Sequence, residues 1–191
     1  IDTQTFLENA LIPNDPLFGN QWHLFNTGQG TGADNSDILA PEAWGIQSTS
    51  PDVIVAVIDG GVDVNHPDLD DNIWVNNDEI PDNGHDDDGN GYIDDINGWN
   101  FYYDTNLINV NSNGHNHGTH VAGTIGAEGD NGVGVAGVTW DTQIMSLSVF
   151  EAYAPGAGDV ISAIYYAVDN GAKIINMSLG LDYQGTAEEF I

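Results

Sequence analysis

Two side chains in this sequence are placed to pass a proton. Asp59 ends an almost wholly apolar run, Val53 to Asp59 (VIVAVID), and is followed by Gly60 and Gly61. His117 opens a second stretch, HGTHVAGT, in which a glycine and small residues follow at once. A carboxylate that accepts the Nδ1 proton of an imidazole fixes its tautomer and leaves Nε2 as a general base. It also stabilises the imidazolium formed when a nucleophile gives up its proton. A serine in a strand-to-helix elbow would complete such a set, and no such segment occurs in the 191 residues. Ser178 does not replace it, because its setting is NMSLG at the end of a strand pattern.

A second chemistry is written in Asp82 to Asn97 (DNGHDDDGNGYIDDIN). From Asp86 the segment fits D-x-[DN]-x-[DN]-G, with Asp86, Asp88 and Asn90 as side-chain ligands and Gly91 at the turn. Tyr92 would offer its carbonyl, and Asp94 or Asp95 a further carboxylate. The twelfth position, where the motif wants a bidentate Glu, holds Asn97. Without a cation, carboxylates about 4 Å apart repel by about 4 kcal/mol at an effective dielectric of about 20. Calcium is the expected ion. His115, His117 and His120 form a third pattern, H-x-H-x-x-H, similar to the zinc-binding segment of metallo-β-lactamase-like hydrolases. That pattern carries an Asp before its last His, where this chain has Thr119.

The composition narrows the partners. Thirty Asp and Glu against a single basic residue, Lys173, give a formal charge of −29. Such a surface repels nucleic acid and acidic membranes, and it opposes folding until cations neutralise part of it. There is no cysteine, hence no disulfide framework or thiolate site. No apolar stretch reaches the length of a membrane span. A first residue Ile1 in place of Met leads to the expectation of a processed chain or one cut from a longer reading frame.

The elements that must position these groups follow from pattern. Residues 1–13 read as a leader or linker, and 14–191 as one domain. A short helix is expected at Pro41 to Ile46 around Trp44. Val53 to Asp59 is apolar throughout, the mark of a strand covered on both faces. Asn72 to Asp95 is a long polar loop, of the kind usually ordered by function or metal. Strands are expected at Ile96 to Phe101, Gln143 to Phe150 and Ala172 to Ser178. Gly158 to Asn170 reads as a helix, with Asp159 as its cap and Ile161, Ile164, Tyr165 and Val168 as its apolar stripe. Gly171 stands where a left-handed cap is wanted. Strand, helix, strand in that order predicts a parallel sheet, whose chemistry collects beyond the carboxyl ends of its strands.

The segments VIDGGVDVNHPDL, HGTHVAGT and INMSLG (residues 175–180), in this order, closely resemble those of the subtilisin-like serine peptidases. The resemblance runs from about Asn14 to Gly180. It implies a three-layer α/β fold with a mostly parallel sheet whose C-terminal strands are missing from the chain. It implies that Asp59 orients the histidine and that His117 is the general base. Ser178, Leu179 and Gly180 would form one wall of a cleft for an extended peptide, and Ala154, Pro155 and Gly156 the other. Kexin-like and thermitase-like relatives imply a second calcium site at Asp15, Asp68 and Asn131, with the carbonyls of Glu128, Val133 and Val135. A secreted endopeptidase follows, its serine and oxyanion donor supplied by a C-terminal remainder of the same domain. The alternative is a non-catalytic, calcium-binding module of the same fold.

Overall fold

In the computed structural model, residues 10–29, 33–108, 116–150 and 157–180 are described. The apolar run forms strand β1 (Ile54–Asp59), buried from Val55 onward. Parallel to it lie β3 (Gln143–Ser148), in register from Ile54 opposite Gln143 to Asp59 opposite Ser148, and the short β4 (Ile174–Asn176). Strand β2 (Gly98–Asn100) pairs in parallel with the other side of β3. The order β2-β3-β1-β4 puts β1 inside the sheet, as its continuous apolar sequence requires.

Alternation along β1 divides the core into two layers. Ala56 and Ile58 pack with Met145, Leu147 and Val149 against helix α3 (Ala157–Asp169) on one face. Val55 and Val57 pack with Ile144 against Ala122 of helix α2 (His117–Gly126) on the other. Helix, sheet and helix therefore make a mostly parallel three-layer α/β fold. The predicted crossover from β3 through α3 to β4 is present, but β1 lies between the two strands it connects. A third apolar cluster joins the N-terminal segment to helix α1 (Ala40–Trp44), through Phe18, Leu24, Trp44, Ala136 and Trp140.

Helix α3 departs from its expected face. Its buried side is Val160, Ala163, Tyr166 and Ala167, while Ile161, Tyr165 and Val168 are exposed and Ile164 is only partly buried. Two alanines let the helix lie close on the sheet, and close approach outweighs the size of the side chains left outside. Asp159 falls within the first turn and is no cap. Gly171 is left-handed as expected, with φ +82°. The strands are one or two residues shorter at one or both ends than the patterns suggested, and α1 starts one residue earlier and ends two earlier than expected.

Candidate functional site

Strand β1 delivers Asp59 at its carboxyl end, fully buried. Helix α2 begins at His117, so its first residue overhangs that strand end. His117 Nδ1 lies 2.9 Å from Asp59 Oδ1 and 2.8 Å from Oδ2. The Gly60 N–H donates to Asp59 Oδ1 at 2.7 Å and fixes the carboxylate from behind. With Nδ1–H donated to Asp59, Nε2 is left as a base, and the imidazole side chain is 60 % exposed while its partner is 0 % exposed. A buried acid thus orients an accessible base. Thr119 of the same helix accepts the Asp63 N–H at 2.9 Å, tying α2 to the turn after β1.

The close approach of helix and strand depends on Gly118. A Cβ there would stand 2.3 Å from the Gly61 carbonyl oxygen and 3.1 Å from Asp59 Cβ. Five residues on, a Cβ at Gly123 would meet nothing within 4 Å. Two substitutions in one helix should therefore act in opposite directions. Gly118→Ala is expected to lower stability by about 1–3 kcal/mol through overpacking and to spread the Asp59–His117 pair. Gly123→Ala should raise stability by up to about 1 kcal/mol through helix propensity. Thermal unfolding of the two variants checks both signs.

Ser178, Leu179 and Gly180 continue directly from β4. The Ser178 hydroxyl donates to Asn176 Oδ1 at 2.8 Å and is solvent-exposed, and Leu179 rests on the α3 side of the core. Ala154, Pro155 and Gly156 lie outside the described residues, as does His115. His117 is committed to Asp59, whereas His120 lines a separate cleft with His23 and His66. Among the described residues, the group of acidic or imidazole side chains close enough to share a metal contains no histidine. His117 and His120 thus stand apart from that group.

That group is Glu79, Asp86 and Asp88, whose oxygens lie within 4.8 Å of one another. Asp86 and Asp88 were legible in the motif; Glu79 was not. Glu79 is buried, and its Oε1 accepts the N–H groups of Asp87 at 2.8 Å and Asp88 at 3.2 Å, while Oε2 accepts that of Asp94 at 3.1 Å. It brings the glutamate missing from the twelfth position, from seven residues upstream of Asp86. The backbone folds around Asp86, which accepts N–H groups from Gly91, Gly89 and Asn90. The Gly91 bond is the largest reason its carboxyl lies below the usual range. Asn90 Nδ2 donates to both Asp88 and Asp95, each at 3.0 Å. Asp94 accepts the N–H groups of Asn83 at 3.0 Å and Gly84 at 2.9 Å. The Tyr92 ring turns inward, edge-on to Trp99 at 5.2 Å, and burial raises its phenol pKa. The chain's one basic residue, Lys173, is at β4. Clustered hard oxygen donors with buried carboxylates and no ammonium or guanidinium among them fit calcium.

The second predicted set also converges. Asp15 and Asp68 are both buried and both bind the 130–135 loop. Asp15 accepts the N–H of Asp130 at 2.8 Å and of Asn131 at 3.3 Å. Asp68 accepts Asn131 Nδ2 at 3.1 Å and the Val135 N–H at 2.9 Å. The Glu128 N–H donates to the Asp68 carbonyl at 3.0 Å. Its side chain accepts the Asp71 N–H, and desolvation raises its pKa. Val133 N–H turns back to Asn131 Oδ1 at 2.7 Å. These hydrogen bonds bring Asp15, Asp68 and Asn131 together and hold the N-terminal arm against the 130–135 loop.

A model of the Subtilase family matches residues 50–190. A subtilisin-like protease 1 of Plasmodium berghei (strain Anka) is 40% identical over 139 residues, 69% of this chain and 22% of that protein. A thermophilic serine proteinase of Bacillus sp. (strain AK1) is 36% identical over 185 residues, 94% of this chain and 36% of that protein. The chain thus spans about a fifth to a third of the length of these relatives. The fold is shared with a serine protease of Aeromonas sobria solved in complex with a chaperone, at a TM-score of 0.70 and 23% identity, covering 92% of this chain and 27% of that one.

Proposed function

The chain belongs to the subtilase family, and from that premise we propose that it supplies the aspartate and histidine of a calcium-stabilised serine endopeptidase. The observation that carries the reading is the buried Asp59 against the accessible His117 at 2.8 Å. In the reaction, a serine from sequence beyond Gly180 approaches the substrate carbonyl. Its Oγ–H proton passes to His117 Nε2 as the Oγ–C bond forms. Asp59 holds the resulting imidazolium through Nδ1–H. The histidine then returns the proton to the amine nitrogen as the C–N bond breaks, and water resolves the acyl-enzyme by the same route reversed.

The substrate is an extended peptide, laid along Ser178 to Gly180 on one side and Ala154 to Gly156 on the other. Pairing to backbone tolerates many side chains. Supporting this, Ser178 to Gly180 run on from β4 beside β1, the strand that carries Asp59. Calcium, when bound, supplies positive charge to hard oxygens. Glu79, Asp86, Asp88, Asn90, Asp94 and Asp95 would hold or surround one ion, and Asp15, Asp68, Glu128, Asn131, Val133 and Val135 another. Calcium at extracellular concentrations suits such loops, which supports secretion. The catalytic domain starts at Asn14, with residues 1–13 as its leader.

The test is a fluorophosphonate probe applied to the full-length protein, alongside hydrolysis of a quenched-fluorescent peptide library. Covalent labelling of one serine beyond Gly180, abolished by His117→Ala, is the expected result. Calcium binding by a folded protein that is neither labelled nor hydrolytic would make it a binding module.

A further inference from the structure

Strand β3 places two buried serines, Ser146 and Ser148, on the α2 face of the sheet, where its register sets them opposite Val57 and Asp59 of β1. Residues paired in register on parallel strands point to the same face, and the strands lie about 4.8 Å apart. The Ser146 hydroxyl accepts the Val62 N–H at 3.1 Å and so braces the turn that follows Asp59. The Ser148 hydroxyl differs. The residue is 1% exposed, and its Oγ has no hydrogen-bond partner among the described residues. Folded proteins keep few such groups, because a buried hydroxyl without a partner is costly.

Two side chains flank Ser148 in register, Asn100 on β2 and Asp59 on β1. The Asn100 amide is used at both ends: Nδ2 donates to the Leu107 carbonyl at 3.0 Å, and Oδ1 accepts the Tyr103 N–H at 3.1 Å. Asp59 is less fully used. Its Oδ1 accepts the Gly60 N–H as well as His117 Nδ1–H, whereas Oδ2 accepts from His117 alone. An ionised carboxylate can accept about four hydrogen bonds, so Oδ2 has capacity to spare.

We propose that Ser148 is a positioning residue for the Asp59–His117 pair: turned about its Cα–Cβ bond, its hydroxyl donates to Asp59 Oδ2. The inference rests on the catalytic reading of that pair. The Gly60 N–H and the Ser148 O–H then hold the two carboxylate oxygens, one each, and the plane of the carboxylate cannot swing. His117 Nδ1 lies at nearly equal distances from those oxygens, 2.9 and 2.8 Å, so the plane of Asp59 aims the imidazole and keeps Nε2 toward the nucleophile. The second donor also stabilises a fully buried negative charge during the steps in which the histidine is neutral. Ser148 is too deeply buried to meet the substrate, so its effect passes through Asp59.

Two variants separate donation from packing. Ser148→Ala removes the hydroxyl; Ser148→Cys keeps a group of similar size whose S–H is a weak donor. In the full-length protein, assayed on a quenched-fluorescent peptide, both should lower kcat by about 10-fold and leave KM unchanged. The far-downfield proton resonance of His117 Nδ1–H, read by NMR without substrate, should shift and broaden in both. The melting temperature of Ser148→Ala should fall, because a bond to a charged group is lost. Wild-type kcat, an unmoved Nδ1–H resonance and a raised melting temperature in Ser148→Ala would overturn the proposal, since the hydroxyl would then be an unpaired group whose removal helps. Wild-type kinetics in Ser148→Cys beside a defect in Ser148→Ala would assign the residue to packing and overturn it as well. A wild-type protein without hydrolytic activity would remove the catalytic reading, and the Nδ1–H resonance would still decide whether Ser148 holds Asp59. The near-isosteric cysteine variant keeps the test available where alanine fails to fold.

Discussion

Replacing Asp59 by asparagine in the full-length protein is expected to lower kcat for peptide hydrolysis by about 10⁴-fold and to leave KM little changed. The carboxylate touches no part of the substrate, so binding in the ground state does not involve it. What it controls is the tautomer. Asp59 can only accept, so His117 must present Nδ1–H to it and Nε2 to the nucleophile, across 2.8 Å. An asparagine amide offers NH₂ in the same place, which favours the tautomer with its proton on Nε2, and no base then faces the serine. The imidazolium formed in the transition state also loses its buried counter-charge. His117→Ala should cost about 10⁶-fold, and the double variant no more than the worse single one, because the two residues act as a unit. Stability should hardly fall in Asp59→Asn, since an uncharged amide replaces a fully buried carboxylate and can still accept the Gly60 N–H. Single-turnover kinetics with unfolding curves on the same samples separates the two effects. An Asp59→Asn enzyme within a factor of about ten of wild type would show that another group orients His117.

Some parts of this site were legible in one dimension and others were not, for physical reasons. Asp59 and His117 could be found because each sits at the end of an element whose pattern is local. The apolar run ends in a carboxylate and two glycines, and small residues open a helix. Asp86, Asp88 and Asn90 fit a motif because a tight loop gathers ligands from close positions. Glu79 could not be found, since it enters the loop from a turn upstream and nothing in its neighbours marks it. The buried face of α3 was missed for a different reason. Periodicity ranks helix faces by bulk, and on that scale Ile161, Tyr165 and Val168 outweigh Ala163 and Ala167. The sheet selects the opposite face because alanines allow the closer approach. Reading α3 by that rule would have turned Tyr166 inward.

Removing divalent cations should lower the melting temperature by roughly 10–20 °C. The estimate follows from linkage. A ligand at about a hundred times its Kd stabilises the folded state by about 2.7 kcal/mol, and each kcal/mol moves Tm by roughly 2–4 °C in a chain of this size. Two such sites give the stated range. The sites are separable by substitution. Glu79→Gln keeps an oxygen for one set of loop N–H groups but turns an amide toward the Asp94 N–H and removes a ligand charge. It should abolish about half of the calcium-dependent rise in Tm. Asp15→Asn should abolish the other half and expose the N-terminal arm to proteolysis, because its two acceptors hold Asp130 and Asn131. A formal charge of −29 offers a competing explanation, that any cation helps by screening. Sodium chloride at about 1 M shortens the Debye length to about 3 Å and would relieve that diffuse repulsion. Salt should restore only a minor part of what the chelator removes, because screening by mobile ions does not substitute for an ion held among Glu79, Asp86 and Asp88. Full recovery in salt, with Glu79→Gln responding to calcium like wild type, would assign the whole effect to net charge and leave the loops without bound ions.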